Sequence, residues 1–403
     1  MSVRDDAQEL QGELVTLRRS LHLEPELGLT LPLTQEKVLT AIDGLGLEIS
    51  LGSSLSSVTA VLRGARPGPS VLLRGDMDAL PVAERSGLDF AAHGDRMHAC
   101  GHDMHTSMLA GAARLLSAHR DRLAGDVVFM FQPGEEGYDG ARHMIGEGVL
   151  DAAGDRVIAA YALHVMSMAP TGLFSTRRGP CLAASDNVRV MVRGAGGHGS
   201  MPHLAKDPIP AACEMVVALQ TLVTRGFDIH DPVVITVGSI HGGTTHNVIP
   251  DEVHFEATVR SYSAVAHARI KDGIVRLVRG LAEAHGLTAD IDYEELYPVT
   301  VNDAREAEFA AATVAELHGA ERYRWAPNPI AGSEDFSRVL DEVPGVMLLL
   351  GAAPAGSEPE RAPANHSPHA VFDESVLADG AALYAELAMR RLAVEQDHPS
   401  EVA

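Results

Sequence analysis

Residues 126–137 read DVVFMFQPGEEG, a short apolar run followed by a Pro-Gly turn and two adjacent carboxylates. A run of this length, bounded by turn residues, predicts a buried strand. The arrangement recurs in SVLLRGDMD at 70–78 and in VIAAYALH at 157–164. Helical patterns between these runs, notably over 103–119, predict an α/β sheet with helices on its faces. Because open α/β sheets hold ligands at the carboxyl ends of their strands, the polar residues that follow the runs predict a site there.

A second domain is predicted from about residue 185, where the order of elements becomes βαββαβ, typical of a ferredoxin-like fold. Its first helix is expected to begin at Asp207-Pro208, a favourable N-cap and first-turn pair. We expect residues 185–297 to be an insertion, with 1–184 and 298–403 forming the first domain. The elements expected on either side are helices at 6–23, 303–318 and 374–394, a strand at 345–350 and a frayed tail at 395–403. Within the insertion we expect strands at 187–194, 232–240, 252–261 and 287–294 and a second helix at 264–285.

Size and charge narrow the class of protein. With 403 residues the chain is too long for one ordinary core, which favours two domains. The formal net charge of −23 argues against a nucleic-acid partner and against an anionic membrane surface. The N-terminus has no apolar core typical of a secretory signal, and the longest apolar run is far shorter than the roughly 18–20 residues of a membrane span. Three cysteines form no disulfide framework, so we expect a cytoplasmic protein.

Several residues are candidate metal ligands. Cys100 and His102, in HACGHD, place a thiolate and an imidazole two residues apart, although a buried thiol beside a core histidine would look the same. Glu135 and Glu136 would repel each other unless they share a cation or a proton, so one could coordinate while the other accepts a proton from water. A solvated acidic turn is the simpler alternative. Further candidates are His164, at a strand end, His366, in a loop, and Asp78, as a carboxylate that orients a ligand. We interpret His98 as peripheral and His105 as an ordinary residue of the helix face.

The motifs resemble one family as a set. GDMDALP, HACGHDMH, FQPGEEG, ALHV, GGHGSMPH, NVIPD, GSEDF and NHSPH occur in the order found in the hippurate hydrolase and auxin-conjugate hydrolase branch of the aminoacylase and carboxypeptidase metallohydrolases. The resemblance extends from about Arg18 to Glu374. One departure is Leu31, where relatives usually carry a glutamate. The family implies a mixed-sheet, zinc-peptidase-like catalytic domain with an inserted ferredoxin-like dimerisation domain.

The resemblance also implies roles for individual residues. The residues that would hold two divalent ions are Cys100, His102, Glu136, His164 and His366. Glu135 would be the general base and acid, and Asp78 the supporting carboxylate. His198 would reach the active site of a neighbouring subunit, and Asn247 and Arg260 would contact substrate. A cysteine ligand favours zinc or another borderline metal over magnesium or calcium, and the candidate ions are zinc, manganese and cobalt.

These roles predict an amidohydrolase that cleaves the amide bond of N-acyl amino acids such as hippurate or N-acetyl amino acids. Its partners would be a small-molecule substrate and, through the inserted domain, a second copy of the chain. A dipeptidase or carboxypeptidase, or a deacetylase acting on an N-acetyl-diaminopimelate-type compound, would use the same scaffold and stays an alternative. A non-catalytic metal-binding scaffold is disfavoured because the predicted base is present together with the ligands.

Overall fold

The structure is a computed structural model that describes residues 2–397. Within this part of the chain the α-helices are α1 (Val3–Leu23), α2 (Pro32–Ala41), α3 (His102–Ala118), α4 (Gly140–Gly146), α5 (Pro208–Gly226), α6 (Ala264–Ala284), α7 (Ala304–His318), α8 (Ser337–Leu340) and α9 (Leu377–Asp397). The strands are β1 (Glu48–Leu51), β2 (Val58–Leu62), β3 (Ser70–Asp76), β4 (Asp126–Gln132), β5 (Ala159–Met166), β6 (Phe174–Thr176), β7 (Gly179–Leu182), β8 (Ala184–Arg193), β9 (Gly197–His198), β10 (Val233–Gly242), β11 (Val248–Ile249), β12 (Glu252–Ser261), β13 (Thr288–Tyr297), β14 (Thr300–Asn302), β15 (Tyr323–Trp325) and β16 (Gly345–Gly351).

The chain divides into two compact units. The first comprises residues 1–181, 301–328 and 335–403, and the second comprises 182–300 and 329–334. The domain bounds inferred from the sequence stay a prediction.

The first unit is built on an eight-stranded mixed sheet with the order β1-β2-β4-β3-β5-β16-β6-β15. Its centre is parallel, since β3 pairs in parallel with β4 and β5, and β5 with β16. Strands β3 and β16 are buried along their whole length, as near-continuous apolar runs in a parallel sheet must be. Helices α1, α3 and α9 pack on one another, and α3 and α9 also contact β3. The carboxyl ends of the parallel strands therefore share one edge of the sheet.

The second unit contains a four-stranded antiparallel sheet with the order β10-β12-β8-β13. Helices α5 and α6 pack against it, and its buried side chains form a separate apolar core. The chain order β8-α5-β10-β12-α6-β13 is the predicted βαββαβ sequence of elements. Helix α5 begins as predicted, with the Asp207 side chain accepting a hydrogen bond from the backbone N–H of Ile209.

Most predicted elements are present with small shifts at their ends. Strands 126–132 and 252–261 have the predicted bounds, whereas the last helix begins at Leu377 rather than at 374. The predicted tail from 395 is wrong for its first residues, because α9 continues to Asp397; residues 398–403 lie outside the described part of the chain. Several short elements were not predicted, among them α2 and the edge strand β1. In residues 2–397, none of the helices combines the length and the hydropathy that crossing a bilayer requires.

Candidate metal centre

The turn before α3 fixes the first two predicted ligands. Gly101 precedes the helix with a φ of +93°, a conformation that side chains other than glycine rarely adopt. A Cβ at this position would lie 2.4 Å from Cγ2 of Val165, so the close approach of β5 also requires glycine. Cys100 and His102, on either side of this turn, are both buried.

The Cys100 thiol is the centre of a cluster that three distant stretches form. Its Sγ lies 3.4 Å from Nε2 of His164, on β5, and 3.2 Å from Nε2 of His366. His366 has a φ of +71°, which is unusual for a residue with a side chain, and its backbone N–H donates to the carbonyl of Ala99. The strained backbone of this loop is thus tied to the turn that carries Cys100.

The two adjacent glutamates join the same cluster. Oε1 of Glu136 lies 3.3 Å from Nε2 of His366 and 3.9 Å from Nε2 of His102. Oε2 of Glu135 lies 3.9 Å from the same His102 nitrogen. Overlapping groups of three, each with potential ligand atoms within 4.8 Å of one another, therefore connect the five predicted ligands and Glu135.

Asp78 holds the glutamate turn. Its two carboxylate oxygens accept hydrogen bonds from the backbone N–H groups of Glu135 (2.9 Å) and Glu136 (3.0 Å). One of these oxygens also lies 3.5 Å from Nδ1 of His102. A single buried carboxylate thus contacts both the turn that bears the glutamates and a predicted ligand.

Charge in the cluster is balanced by protons on histidines. Burial opposes ionisation of the Cys100 thiol, but His164 and His102 outweigh it and hold the pKa of the thiol well below its usual range. Hydrogen bonds to Cys100 and Glu136 raise the pKa of His366 to about 10. Imidazolium ions thus compensate the negative charge of the sulfur and carboxylate groups in this cluster. A bound cation would compensate the same charge in their place.

The unsatisfied atoms of the cluster indicate the same kind of ligand. Among the described residues, neither ring nitrogen of His102 has a hydrogen-bond partner, although both nitrogens are buried. Buried polar atoms are normally paired, because an unpaired one retains its desolvation cost. Sulfur, imidazole nitrogen and carboxylate oxygen together suit zinc and similar transition metals. The residues present therefore fit a divalent cation.

Two supporting residues were missed or misinterpreted from the sequence. His105 is not an ordinary residue of the helix face: it is fully buried, Nδ1 lies 2.5 Å from Oδ1 of Asp76, and Nε2 accepts from the N–H of Val165. Burial lowers the pKa of His105 to about 4, which keeps the ring neutral. The side-chain N–H₂ of Asn365 donates to the carbonyls of Cys100 and Val165, both at 3.0 Å. Asn365 belongs to the NHSPH motif, in which the sequence predicts a role as metal ligand for His366 alone. His98 lies outside the ligand groups, as expected.

The remaining predicted site residues lie in the second unit. His198, on β9, pairs in register with Val248, and the backbone carbonyl of the preceding Asn247 accepts from the N–H of Gly199. The Nδ1 of His198 accepts from the backbone N–H of Ser200, and both His198 and Asn247 are exposed. The structure therefore brings His198 and Asn247 together.

Arg260 stands apart from this pair. It lies near the end of β12, eight residues beyond Glu252 and so roughly 27 Å along the strand. Its Nη1 donates to the hydroxyls of Ser185 (2.6 Å) and Thr258 (2.7 Å), and no carboxylate is hydrogen-bonded to the guanidinium among the described residues. Burial lowers the pKa of Arg260 from its usual value, though the neighbouring Asp186 opposes this.

The fold and the cluster define an α/β protein with a candidate metal centre at the carboxyl edge of its larger sheet. Residues 72–390 match the model of Peptidase family M20/M25/M40, and the chain belongs to that family. It is accordingly an amide-cleaving hydrolase, and the family resemblance of its motifs is confirmed.

Individual relatives extend over almost the whole chain. Thermostable carboxypeptidase 2 of Saccharolobus solfataricus is 35% identical over 393 residues, which cover 96% of this chain and 98% of the relative. IAA-amino acid hydrolase ILR1-like 4 of Arabidopsis thaliana is 36% identical over 384 residues, 94% of this chain and 86% of the relative. The crystal structure of a dinuclear metal binding peptidase of the M20 family from Bacillus subtilis matches with a TM-score of 0.81 at 30% identity, covering 96% of this chain and 99% of that one.

Proposed function

We propose that this protein is a metal-dependent amidohydrolase that releases free amino acids from N-acyl amino acids, with hippurate-like and N-acetyl compounds as the first candidates. The observation that carries the proposal is the convergence of thiolate, imidazole and carboxylate groups around His102, whose own ring nitrogens lack hydrogen-bond partners among residues 2–397. The relative named for hydrolysing IAA-amino acids supports this class of substrate.

In this proposal five residues hold two divalent ions of zinc, manganese or cobalt. They are Cys100, His102, Glu136, His164 and His366. The Bacillus subtilis relative, described as dinuclear, supports the number of ions. When bound, such ions polarise a carbonyl oxygen and make water more acidic.

The chain's own groups would perform the proton transfers. Glu135 accepts a proton from the attacking water and later delivers it to the leaving amine, as a general base and then a general acid. Asp78 fixes the backbone of the glutamate turn, so the carboxylate of Glu135 keeps its position through both steps. His198 donates to the developing oxyanion, and Asn247 and Arg260 bind substrate, with the Arg260 fork suited to a carboxylate.

Two further parts of the proposal concern the setting of the enzyme. We propose a homodimer formed through the second unit, in which His198 serves the active site of the partner subunit. We also propose a cytoplasmic location, which the free thiols of Cys100, Cys181 and Cys213 support because they form no disulfide.

A carboxypeptidase activity is the second candidate, favoured by the name of the Saccharolobus solfataricus relative. Hippurate, N-acetyl amino acids and dipeptides assayed side by side, with release of the free amino acid as the readout, distinguish the two. Higher kcat/KM for the acyl compounds supports the proposal, and higher kcat/KM for peptides replaces it with the second candidate.

The decisive variant is Glu135→Gln. Loss of general acid–base transfer is expected to lower kcat by about 10²- to 10⁴-fold while the metal content per protein stays that of the wild type. Full activity in this variant would show that Glu135 is not the general base.

A further inference from the structure

A buried chain of side chains lies behind the candidate metal centre. The ring of His22, on α1, is held between two carboxylates: Nδ1 lies 2.8 Å from Oδ2 of Asp103, and Nε2 lies 3.1 and 3.2 Å from the oxygens of Glu84. A ring with a carboxylate at each nitrogen donates from both, so His22 is an imidazolium ion.

The chain is isolated from water and its charges balance. The side chains of His22, Glu84 and Asp103 are at most 1% exposed. Nε of Arg18, equally buried, lies 2.7 Å from Oδ2 of Asp103. Within this chain two cations thus face two anions, and the second carboxylate that Arg18 contacts, Glu374, is itself paired with Arg19. A single unpaired charge in such a place would be very unfavourable.

One end of this chain meets the ligand turn. Asp103 follows His102 in the first turn of α3, and the preceding Gly101 provides no side-chain cap for that helix. The contacts of Asp103 with His22 and Arg18 thus tie the beginning of α3 to α1.

The other end organises the segment 84–92. Besides His22, Glu84 accepts hydrogen bonds from the backbone N–H of Ala92 and the hydroxyl of Ser86. The same segment reaches the loop that carries His366, since the N–H of Arg85 donates to the carbonyl of Pro368 and Nδ1 of His369 lies 2.8 Å from the carbonyl of Arg85. Glu84 is therefore connected to the Cys100–His102 turn, through His22 and Asp103, and its neighbour Arg85 contacts the His366 loop.

We propose that Glu84, His22 and Asp103 are positioning residues that hold the Cys100–His102 turn and, through Arg85, the His366 loop in the geometry that binds metal. None of the three touches the cluster of ligand atoms directly, and their effect is on the affinity and geometry of the centre. The inference rests on the proposed metal-dependent function.

The test measures cobalt(II) binding to the metal-free protein by competition with a chelator, together with the cobalt absorption spectrum. Glu84→Gln keeps the size of the side chain but removes its charge, and we expect roughly 10- to 100-fold weaker binding, as for other residues that orient metal ligands. His22→Gln, which retains a donor near Nε2 but loses the one facing Asp103, should weaken binding and alter the spectrum. His22→Asn retains the donor facing Asp103 and should lie closer to the wild type.

Asp379→Asn is the matched control. Asp379 is also a buried carboxylate of the first unit, paired with Arg322 and 3.6 Å from Nδ1 of His318, and both of these partners lie outside the stretches that carry the predicted ligands. This variant should lower the Tm as Glu84→Gln does, while its cobalt affinity and spectrum stay those of the wild type.

Two results would overturn the inference. One is unchanged cobalt affinity in Glu84→Gln and in both His22 variants; the other is an equal loss of affinity in Asp379→Asn, which would reveal general destabilisation. If the wild type itself binds no cobalt, the proposed function fails along with the inference. The two failures are thus distinguishable. Cobalt binding by the wild type tests the proposed function, and cobalt binding by the variants tests the inference.

Discussion

In the first unit, predicted ligands from distant stretches of the chain lie within 4.8 Å of one another in overlapping groups. In the second unit, His198 pairs with Val248 on β11, before β12 begins, whereas Arg260 lies near the end of β12. The difference is also one of surroundings. Cys100 and His102 are buried and surrounded by side chains that hold them in place. His198 and Asn247 are exposed, and their hydrogen bonds are mainly to residues close to them in sequence or on the paired strands β9 and β11.

This contrast indicates two ways of building a site. The ligand cluster is preorganised by one sheet edge and its supporting hydrogen bonds, so the predicted metal ligands all lie in a single unit. The residues of the second unit form no comparable cluster among themselves. The roles proposed for them therefore depend on contacts with substrate or with a partner subunit.

Removing the central ligand should have the largest effect. Cys100→Ser replaces the thiolate with a hydroxyl that ionises far less readily, so we expect metal retention to fall by more than roughly 100-fold, with activity falling alongside it. Metal content after gel filtration and kcat are the measurements. Cys213→Ser, at an exposed cysteine of α5 in the second unit, is the matched control and should change neither. Equal metal content in the two variants would show that Cys100 is no ligand.

Arg260 tests the second unit. Arg260→Ala removes a partly buried cation to which no carboxylate is hydrogen-bonded in residues 2–397. The loss of a charged hydrogen bond to substrate, about 1.5–3 kcal/mol, should lower kcat/KM by roughly 10- to 150-fold. The change should fall mainly on KM, with metal content unaffected. Arg189→Ala, which removes an exposed arginine paired with Asp292 and Glu294 in the same sheet, serves as control. A loss of metal in Arg260→Ala would contradict the separation of the two regions.

Asp78 tests how far the first unit depends on support. Asp78→Asn replaces one acceptor oxygen with an N–H₂ group that must face a backbone N–H of the glutamate turn. We expect metal affinity or kcat to fall by about 10- to 100-fold. Asp290→Asn, at an exposed aspartate paired with Arg193 in the second unit, should leave both unchanged. Wild-type kinetics in Asp78→Asn would mean that the turn holds its geometry without this carboxylate.

The fold was largely predictable because burial leaves a clear mark on the sequence. Strand β4 and the first half of β3 are apolar runs that are followed by polar residues, and α5 begins at a side-chain cap followed by proline. Strand β1 was not predicted, because its polar–apolar alternation covers only four residues, the shortest run that can indicate a strand, and each of these residues is exposed.

The site was predictable only where the residue types themselves carry the chemistry. Cysteine, histidine and paired glutamates at strand ends indicate a metal without any knowledge of distances. The supporting groups give no such indication, because Asn365 and His105 act on backbone groups that only the folded chain brings near. The same holds for His22, which meets Asp103 from 81 positions away.

The smallest expected effect concerns a charge pair of the second unit. Nε2 of His267, on α6, lies 2.9 Å from both oxygens of the buried Asp186, and the hydroxyl of Tyr293 donates to the same carboxylate. The hydrogen bond to Asp186 raises the pKa of His267 despite partial burial, with Glu295 adding to the effect and Lys271 opposing it. A histidine whose pKa is raised by folding stabilises the native state fully below its unfolded pKa, and this contribution is lost as the pH rises through the folded pKa.

His267→Gln keeps a donor near Nε2 but cannot carry the charge. Urea unfolding should therefore show the wild type more stable than the variant by about 1 kcal/mol near pH 5.5, with the difference shrinking toward zero near pH 9. If the difference in unfolding free energy grew with pH, its sign would be opposite to the expected one, and His267 and Asp186 would not form a charged pair. Metal content should be the same in both proteins, because this pair stabilises the second unit through one proton, whereas the cluster of the first unit has anionic groups that a divalent cation can satisfy.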